Sequence, residues 1–382
     1  MLLPFSYAVR NLYRDRTRLL QTLGGSALVV FLVMGAHALN EGMRRTLNAS
    51  GSPHNMLIIG KGSEESVQRS EVSERAAGIA EASLSGIYAP LGERAVSPQI
   101  VHMADLALPD GRRLRGLVRG VNPKALLTHP EVAVIDGRFP GPGELMVGRL
   151  AWKRFGVDAA DLAPGTTLNL DTATLTVSGT FAAPGNVLES ELWMDLNDLR
   201  TLAQRETISA VVVRLDTGDP ADVQLFTRQR LDLELSAVNE KDYYARLAAF
   251  YAPVRAMTWT TAALIAAAAV FGGFNTLYAA FASRVREIAT LQAIGFRRVA
   301  IVVSFIQESL MTSLLGALLG AITAVLVLAD RVVYLSAGAF RLGFGPETLF
   351  AGLITGAALG LIGAIPPAIR CLKPNLPQAL RD

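Results

Sequence analysis

The chain has 382 residues, of which 51% are hydrophobic and 18% charged, with a mean hydropathy of +0.34; an ordinary soluble domain carries about 25% charged residues. That balance points to a membrane protein, and a net charge of +3 spread over 36 basic and 33 acidic residues excludes a nucleic-acid binder, whose basic groups gather in a patch. The single cysteine, Cys371, excludes an intramolecular disulfide and a cysteine-built metal site.

Residues 5–18 place Phe5, Ala8, Val9, Leu12 and Tyr13 at helical spacing, with Arg10, Arg14 and Asp15 turned away. This predicts an amphipathic helix in the headgroup layer or a plain extension of the first span. Uncharged apolar runs occupy 19–39, 257–283, 299–329 (interrupted by Glu308) and 348–369, each with the roughly 20 residues a spanning helix needs. Ala36-His37-Ala38 matches a signal-peptidase pattern, but the run before it exceeds the usual apolar core of about 7–15 residues, so 19–39 is read as an uncleaved anchor.

The polar block 40–256 is large enough for one or two domains with real cores. Strands are predicted at 55–59, 132–135, 172–177 and 210–215, turns at Asp110-Gly111 and Asp136-Gly137, and helices at 70–82, 151–155 and 240–251. The last of these runs nearly into the second span, which predicts a stalk with a kink at Pro253. The expected fold class is therefore a membrane protein with four transmembrane α-helices (1 + 3) and a large mixed α/β periplasmic domain between helices one and two.

Arginine and lysine collect on cytoplasmic flanks. Arg10, Arg14, Arg16 and Arg18 precede the first run; Arg284, Arg286, Arg297 and Arg298 lie between the second and third; Arg370, Lys373 and Arg381 follow the fourth. The loop 330–347 offsets Arg331 and Arg341 with Asp330 and Glu347, although Arg44 and Arg45 after the first run dissent. Segments 1–18, 284–298 and 370–382 are expected to be cytoplasmic, and 40–256 and 330–347 to be exported.

Catalytic signatures are missing. His37, His54, His102 and His129 are scattered with no H-E-x-x-H spacing, and neither G-x-S-x-G nor S-x-x-K occurs. Gly60-Lys61-Gly62 falls short of a phosphate loop, with Asn55 where the first glycine belongs and Gly62 in place of Ser or Thr. Within the apolar runs, Gly316 and Gly320, and Gly352, Gly356 and Gly360, form small-residue faces suited to close helix packing. Asn275 is expected to hydrogen-bond between helices. Glu308, an intramembrane carboxylate, is read as a partner for Arg18 or Arg284, as a residue at the edge of the bilayer core, or as a proton or substrate site.

The run Asn275-Thr276-Leu277, then Ser283-Arg284-Val285-Arg286-Glu287-Ile288-Ala289-Thr290-Leu291-Gln292-Ala293-Ile294-Gly295-Phe296-Arg297-Arg298, closely resembles the signature of the FtsX-like, MacB-type permeases of ABC transporters. Ile365-Pro366-Pro367-Ala368-Ile369-Arg370, with Pro374 and Gln378-Ala379-Leu380-Arg381, is similar to that family's terminal motif, as are 142–149 and 185–193 to its periplasmic core. The resemblance implies a dimer, with a second copy or a related chain, that works with two copies of a separate cytoplasmic ATPase in the bacterial inner membrane. No cofactor is expected on this chain; ATP and Mg would belong to the ATPase.

The resemblance also implies that the stretch from Arg284 to Ile294 is a coupling helix docking on that partner, through Arg284, Arg286, Glu287, Ile288, Leu291, Ile294 and Gly295. Val285, Ile288, Ala289 and Gln292 share the face expected to enter the partner's groove, and Gly295 ends the helix. Expected function is ATP-driven periplasmic motion for export or extraction of a lipoprotein, lipid, peptide or amphipathic drug. A periplasmic adaptor is a further candidate partner. The sequence is also compatible with two alternatives: a signalling module that activates a periplasmic partner such as a cell-wall hydrolase, and a membrane-anchored enzyme.

Overall fold

The structure, a computed structural model, describes the chain except residues 1–6, 8, 10–13, 15, 171–172, 330, 336–337 and 372–382. The amphipathic helix expected over 5–18 lies outside the described residues save Tyr7, Val9, Arg14 and the stretch from Arg16, as does the terminal motif beyond 371.

In chain order the helices are α1 (Arg16–Ala49), α2 (Arg75–Ser83), α3 (Ala125–Thr128), α4 (Ala151–Phe155), α5 (Leu196–Leu202), α6 (Pro220–Gln229), α7 (Glu240–Phe250), α8 (Ala252–Ala282), α9 (Val285–Ala293), α10 (Arg298–Leu328) and α11 (Pro346–Cys371). The strands are β1 (Asn55–Gly60), β2 (Val72–Ser73), β3 (Val96–Ala107), β4 (Arg113–Val121), β5 (Ala133–Gly137), β6 (Glu144–Gly148), β7 (Thr167–Leu170), β8 (Ala173–Ala182), β9 (Leu192–Asp195), β10 (Thr207–Ile208), β11 (Ala210–Arg214), β12 (Leu235–Asn239), β13 (Val332–Leu335) and β14 (Gly338–Arg341). The chain divides into two units. One comprises Met1–Gly42, Ala252–Arg331 and Leu342–Asp382, the other Met43–Tyr251 and Val332–Arg341.

The first unit is a helix bundle. Four helical stretches are long and apolar enough to cross a bilayer: Arg16–Ala49, Glu240–Ala279, Arg298–Leu328 and Pro346–Ile369. Their apolar side chains divide between neighbours and the outside. Val29, Val33 and Ala36 of α1 pack on Ala262 of α8, and Val30 and Met34 pack on Ala317 and Ala324 of α10. Leu264, Phe271, Leu318, Leu326 and Ile354 remain exposed, as lipid-facing residues do. Both expected helix ends shift. The helix begun at the first apolar run continues to Ala49, and the break expected at Pro253 falls at Tyr251, leaving Pro253 in the first turn of α8, where its missing N–H costs nothing.

The second unit is built on a ten-stranded sheet in the order β12-β1-β11-β3-β4-β9-β6-β8-β5, with β7 joining β3 to β8. The long strand β3 serves both halves: Val96 to Gln99 pair with β11, and Ile100 to Ala107 pair with β4. Pairing continues from β4 through β9, β6 and β8 to β7 and back to β3, closing a circuit. β1 reads as a continuous apolar run because both faces are covered. Met56 and Ile58 join one core, with Ala76 and Ala80 of α2 and Val223 and Phe226 of α6, while Leu57 and Ile59 join another.

The helix predicted over 70–82 starts only at Arg75, because Val72 and Ser73 are claimed by pairing with β10; tertiary pairing outweighs helical periodicity. Asp110-Gly111 does turn β3 into β4, with Gly111 at φ +86, but Asp136-Gly137 lies inside β5 beside a register shift. The loop 330–347 contains the β13–β14 hairpin, which belongs to the second unit. There Ala339 N–H donates to Ser190 Oγ at 3.3 Å, and Phe340 meets the ring of Tyr251.

Candidate coupling site

The α9 helix is short and amphipathic, and the bundle itself takes its apolar side. Ile288 and Ala289 are buried, and Ile288 joins Leu277 of α8, Ile301 and Phe305 of α10, and Ala364 and Ala368 of α11, with Leu291 packed at the edge. The C-terminus is fixed by backbone geometry: Gly295, at φ +104, donates to Gln292 O at 3.0 Å, and Phe296 donates to Leu291 O at 3.1 Å. This is the paired bonding of a Schellman cap, whose positive φ a glycine adopts without strain.

The docking face expected from the sequence is therefore turned the wrong way. Periodicity identifies an apolar stripe but not which neighbour fills it, and here Ile288 and Ala289 fill a gap in their own bundle. The outward edge carries Arg286, Thr290, Ala293 and Ile294, followed by Arg297, Arg298 and Val299; Ile294 is 70% exposed. Of the predicted coupling residues, Arg286, Ile294 and Gly295 lie on the exposed side, Glu287 is half-buried, and Ile288 and Leu291 face inward.

Two charged contacts anchor this corner. Tyr7 Oη donates to Glu287 Oε1 at 2.7 Å, and Arg14 Nη1 lies 3.3 Å from Glu287 Oε2. Burial, helped by the Glu287 carboxylate, pushes the Tyr7 phenol up to about 12, so it stays a neutral donor at physiological pH. Sequence reading missed this partner, because a tyrosine 280 positions away carries no local signal. Deeper in, Glu308 pairs with Arg18 of α1 and with Arg284, whose Nη1 lies 3.3 Å from Glu308 Oε2. Arg284 thus faces inward too, and one carboxylate ties α1, the start of α9 and α10 together.

The glycine faces pack within the chain. A Cβ at Gly316 would fall 1.8 Å from Ser26 Oγ and one at Gly320 would fall 2.3 Å from Ala27 O, both on α1. On α11, Gly352 abuts Met34 of α1, while Gly356 and Gly360 abut Ala317 and Ser313 of α10. Asn275 departs from expectation: it is exposed on α8 and makes no hydrogen bond among the described residues. Its spacing gave no means of telling the outer face of α8 from the inner one. Among the described residues, no three His, Cys, Asp or Glu side chains gather as metal ligands.

The sequence matches two family models, the FtsX-like permease C-terminal domain over residues 259–376 and the MacB-like periplasmic core domain over residues 19–225, the latter more than half of the chain. The chain belongs to the MacB/FtsX-type permeases. This permease is thus of the ABC transporter type, a bacterial membrane protein with an α/β domain inserted after its first apolar helix. Permeases of this family are generally non-catalytic subunits that work with an ABC ATPase. No curated protein matches the permease in sequence.

Among solved structures, the permease is similar to the periplasmic region of MacB from Actinobacillus actinomycetemcomitans, with 11% identity and a TM-score of 0.40 over 54% of this chain and 97% of that one. It is also similar to the extracellular domain of YknZ, a noncanonic ABC-type transporter from Gram-positive bacteria, with 15% identity and a TM-score of 0.37 over 48% of this chain and 100% of that one. A domain of a permease protein from Porphyromonas gingivalis gives 14% identity and a TM-score of 0.35 over 48% and 88%.

Proposed function

We propose that this chain is a mechanotransmission permease: a cytoplasmic ATPase, holding ATP and Mg, docks on the outer edge of α9, and its closure is carried through α8 and α10 to the exported domain. The observation that carries the reading is α9 itself. Its apolar side is spent inside the bundle and its C-terminus is capped at Gly295, so a push on Arg286 or Ile294 moves the helices behind it rather than bending a loop. The abundance of arginine around α9 supports a cytoplasmic location for this corner, with 40–256 outside.

Two permease copies and two ATPases make the working assembly in this reading. The substrate is an amphipathic molecule, a lipoprotein, lipid, peptide or drug, handled at the exported side. The test is co-purification of the full chain with the ATPase encoded beside it. Arg286→Glu/Ile294→Asp should lose the ATPase, while Leu231→Asp, at an exposed position of the α/β unit, should retain it. Equal capture by both variants, or none by the unaltered chain, would sink the coupling assignment.

A further inference from the structure

The α/β unit holds a cavity of about 880 Å³, within the roughly 300–1,000 Å³ of small-molecule sites. Its floor is one face of the sheet, formed by Leu57, Val101, Leu117, Ala210 and Val212 from β1, β3, β4 and β11. Its roof is the 62–69 segment and α7, which contributes Tyr243, Tyr244, Leu247 and Phe250. Alternate residues of β1 on the opposite face are sealed by α2 and α6; here the roof leaves the space open. An apolar floor loses dispersion contacts across such a gap, and water finds few hydrogen-bonding partners against it. The floor suits an apolar ligand body.

The polar end narrows the choice. Arg119 binds Glu191 through Nε at 2.6 Å and Nη2 at 2.8 Å, and Gln99 Oε1 through Nη1 at 2.8 Å. Glu240 accepts from Ser52 N at 2.9 Å and Asn55 Nδ2 at 2.8 Å, with His129 Nδ1 at 3.8 Å. At this buried end each charge is already answered, so a carboxylate or an ammonium carried there would find no uncommitted partner and burying one would be costly; Arg69 and Arg246 also line the cavity, but at exposed positions. Two phenols remain. Tyr243 Oη accepts from Val67 N at 3.4 Å and keeps its own proton to give. Tyr244 is buried, lines the cavity and makes no hydrogen bond among the described residues. Burial, with the charges of Glu240 and Glu191, holds its hydroxyl protonated well above the ordinary phenol range.

We propose that this cavity binds a small uncharged amphipath, an acyl chain or ring system lying on the strand floor with a carbonyl or hydroxyl oxygen accepting from Tyr244. The inference stands on the α/β unit alone and does not depend on ATPase docking. The test uses the full chain in nanodiscs, photolabelled in turn with a diazirine-bearing fatty acyl methyl ester, its free acid and an alkane of equal length, with labelled peptides mapped by mass spectrometry.

The ester should label peptides holding Leu117 and Tyr243 as well as the apolar helices. Ala210→Phe, which fills the floor, should abolish the cavity labels and leave those on the helices unchanged, which reports that the chain is folded and inserted. Tyr244→Phe keeps the shape and should cut ester labelling of the cavity about fivefold, the worth of one neutral hydrogen bond, without changing alkane labelling. Labels confined to the helices, or cavity labels indifferent to Ala210→Phe, would overturn the site. Free acid labelling the cavity as well as the ester would overturn its preference for an uncharged end.

Discussion

Glu308 offers the sharpest test of how the bundle is held together. Its side chain is 5% exposed and those of Arg18 and Arg284 are 10% and 11% exposed, so Glu308→Leu removes a carboxylate that two buried guanidinium groups share. Removing one partner of a buried ion pair costs about 3–5 kcal/mol, whereas replacing a whole buried cluster by apolar side chains is often neutral or stabilising. For a unit of this size, 1 kcal/mol corresponds to about 2–4 °C, so Glu308→Leu should lower the midpoint by on the order of 10 °C. Arg18→Met/Arg284→Met/Glu308→Leu should recover most of that loss. The assay is thermal unfolding of the detergent-solubilised full chain, followed by tryptophan fluorescence. A single variant within about 2 °C of the parent, less than 1 kcal/mol on the same scale, would refute the claim that these charges are buried together. A triple variant as unstable as the single would show that the imbalance of buried charge is not the cause.

Other expectations concern packing, exposure and pH. Gly320→Ala puts a methyl group 2.3 Å from Ala27 O, so α1 and α10 must separate by about 1 Å to restore contact distance, whereas nothing lies within 4 Å of a Cβ at Gly272; Gly272→Ala should leave the melting midpoint unchanged or raised while Gly320→Ala lowers it. Ile288→Asp buries a carboxylate among Leu277, Ile301 and Phe305 and should cut yield of folded chain, while Ile294→Asp, at a 70% exposed position, should melt like the parent; equal melting of the two would contradict the placement of α9. Burial disfavours charge on His129, yet Glu240 and Glu131 outweigh it against the opposing charge of Arg119 and raise its pKa. The stability this contributes is full below the unfolded value of about 6.5 and is lost as pH rises through the higher folded value. His129→Gln should therefore flatten the alkaline side of a pH series of unfolding midpoints, and an unchanged slope would argue that His129 is neutral in the folded protein.

Composition and local period carry a defined share of this fold. Runs of some 20 apolar residues can only be buried or lipid-facing, so the four long helices were legible, as was β1 from its β-branched, apolar run. The need for glycine at position 295, where φ is +104, could likewise be read from a helix that had to stop. The pairing of Glu308 with an arginine was among the expectations because an intramembrane carboxylate has few affordable states.

Which neighbour each stripe meets is set by packing between distant segments. Ile288 and Ala289 repeat as an apolar face in any reading, but burial under α8, α10 and α11 rather than on a partner depends on helices that approach from distant parts of the chain. Asn275 lies on the exposed side of α8 for the same reason. In the α/β unit, β3 gives up one half to β11 and the other to β4, a division that no alternation within residues 96–107 encodes. The cavity above Leu57, Val101 and Val212 follows from it. Periodicity is a property of one segment, whereas partner choice is set by the free energy of the whole chain packed at once.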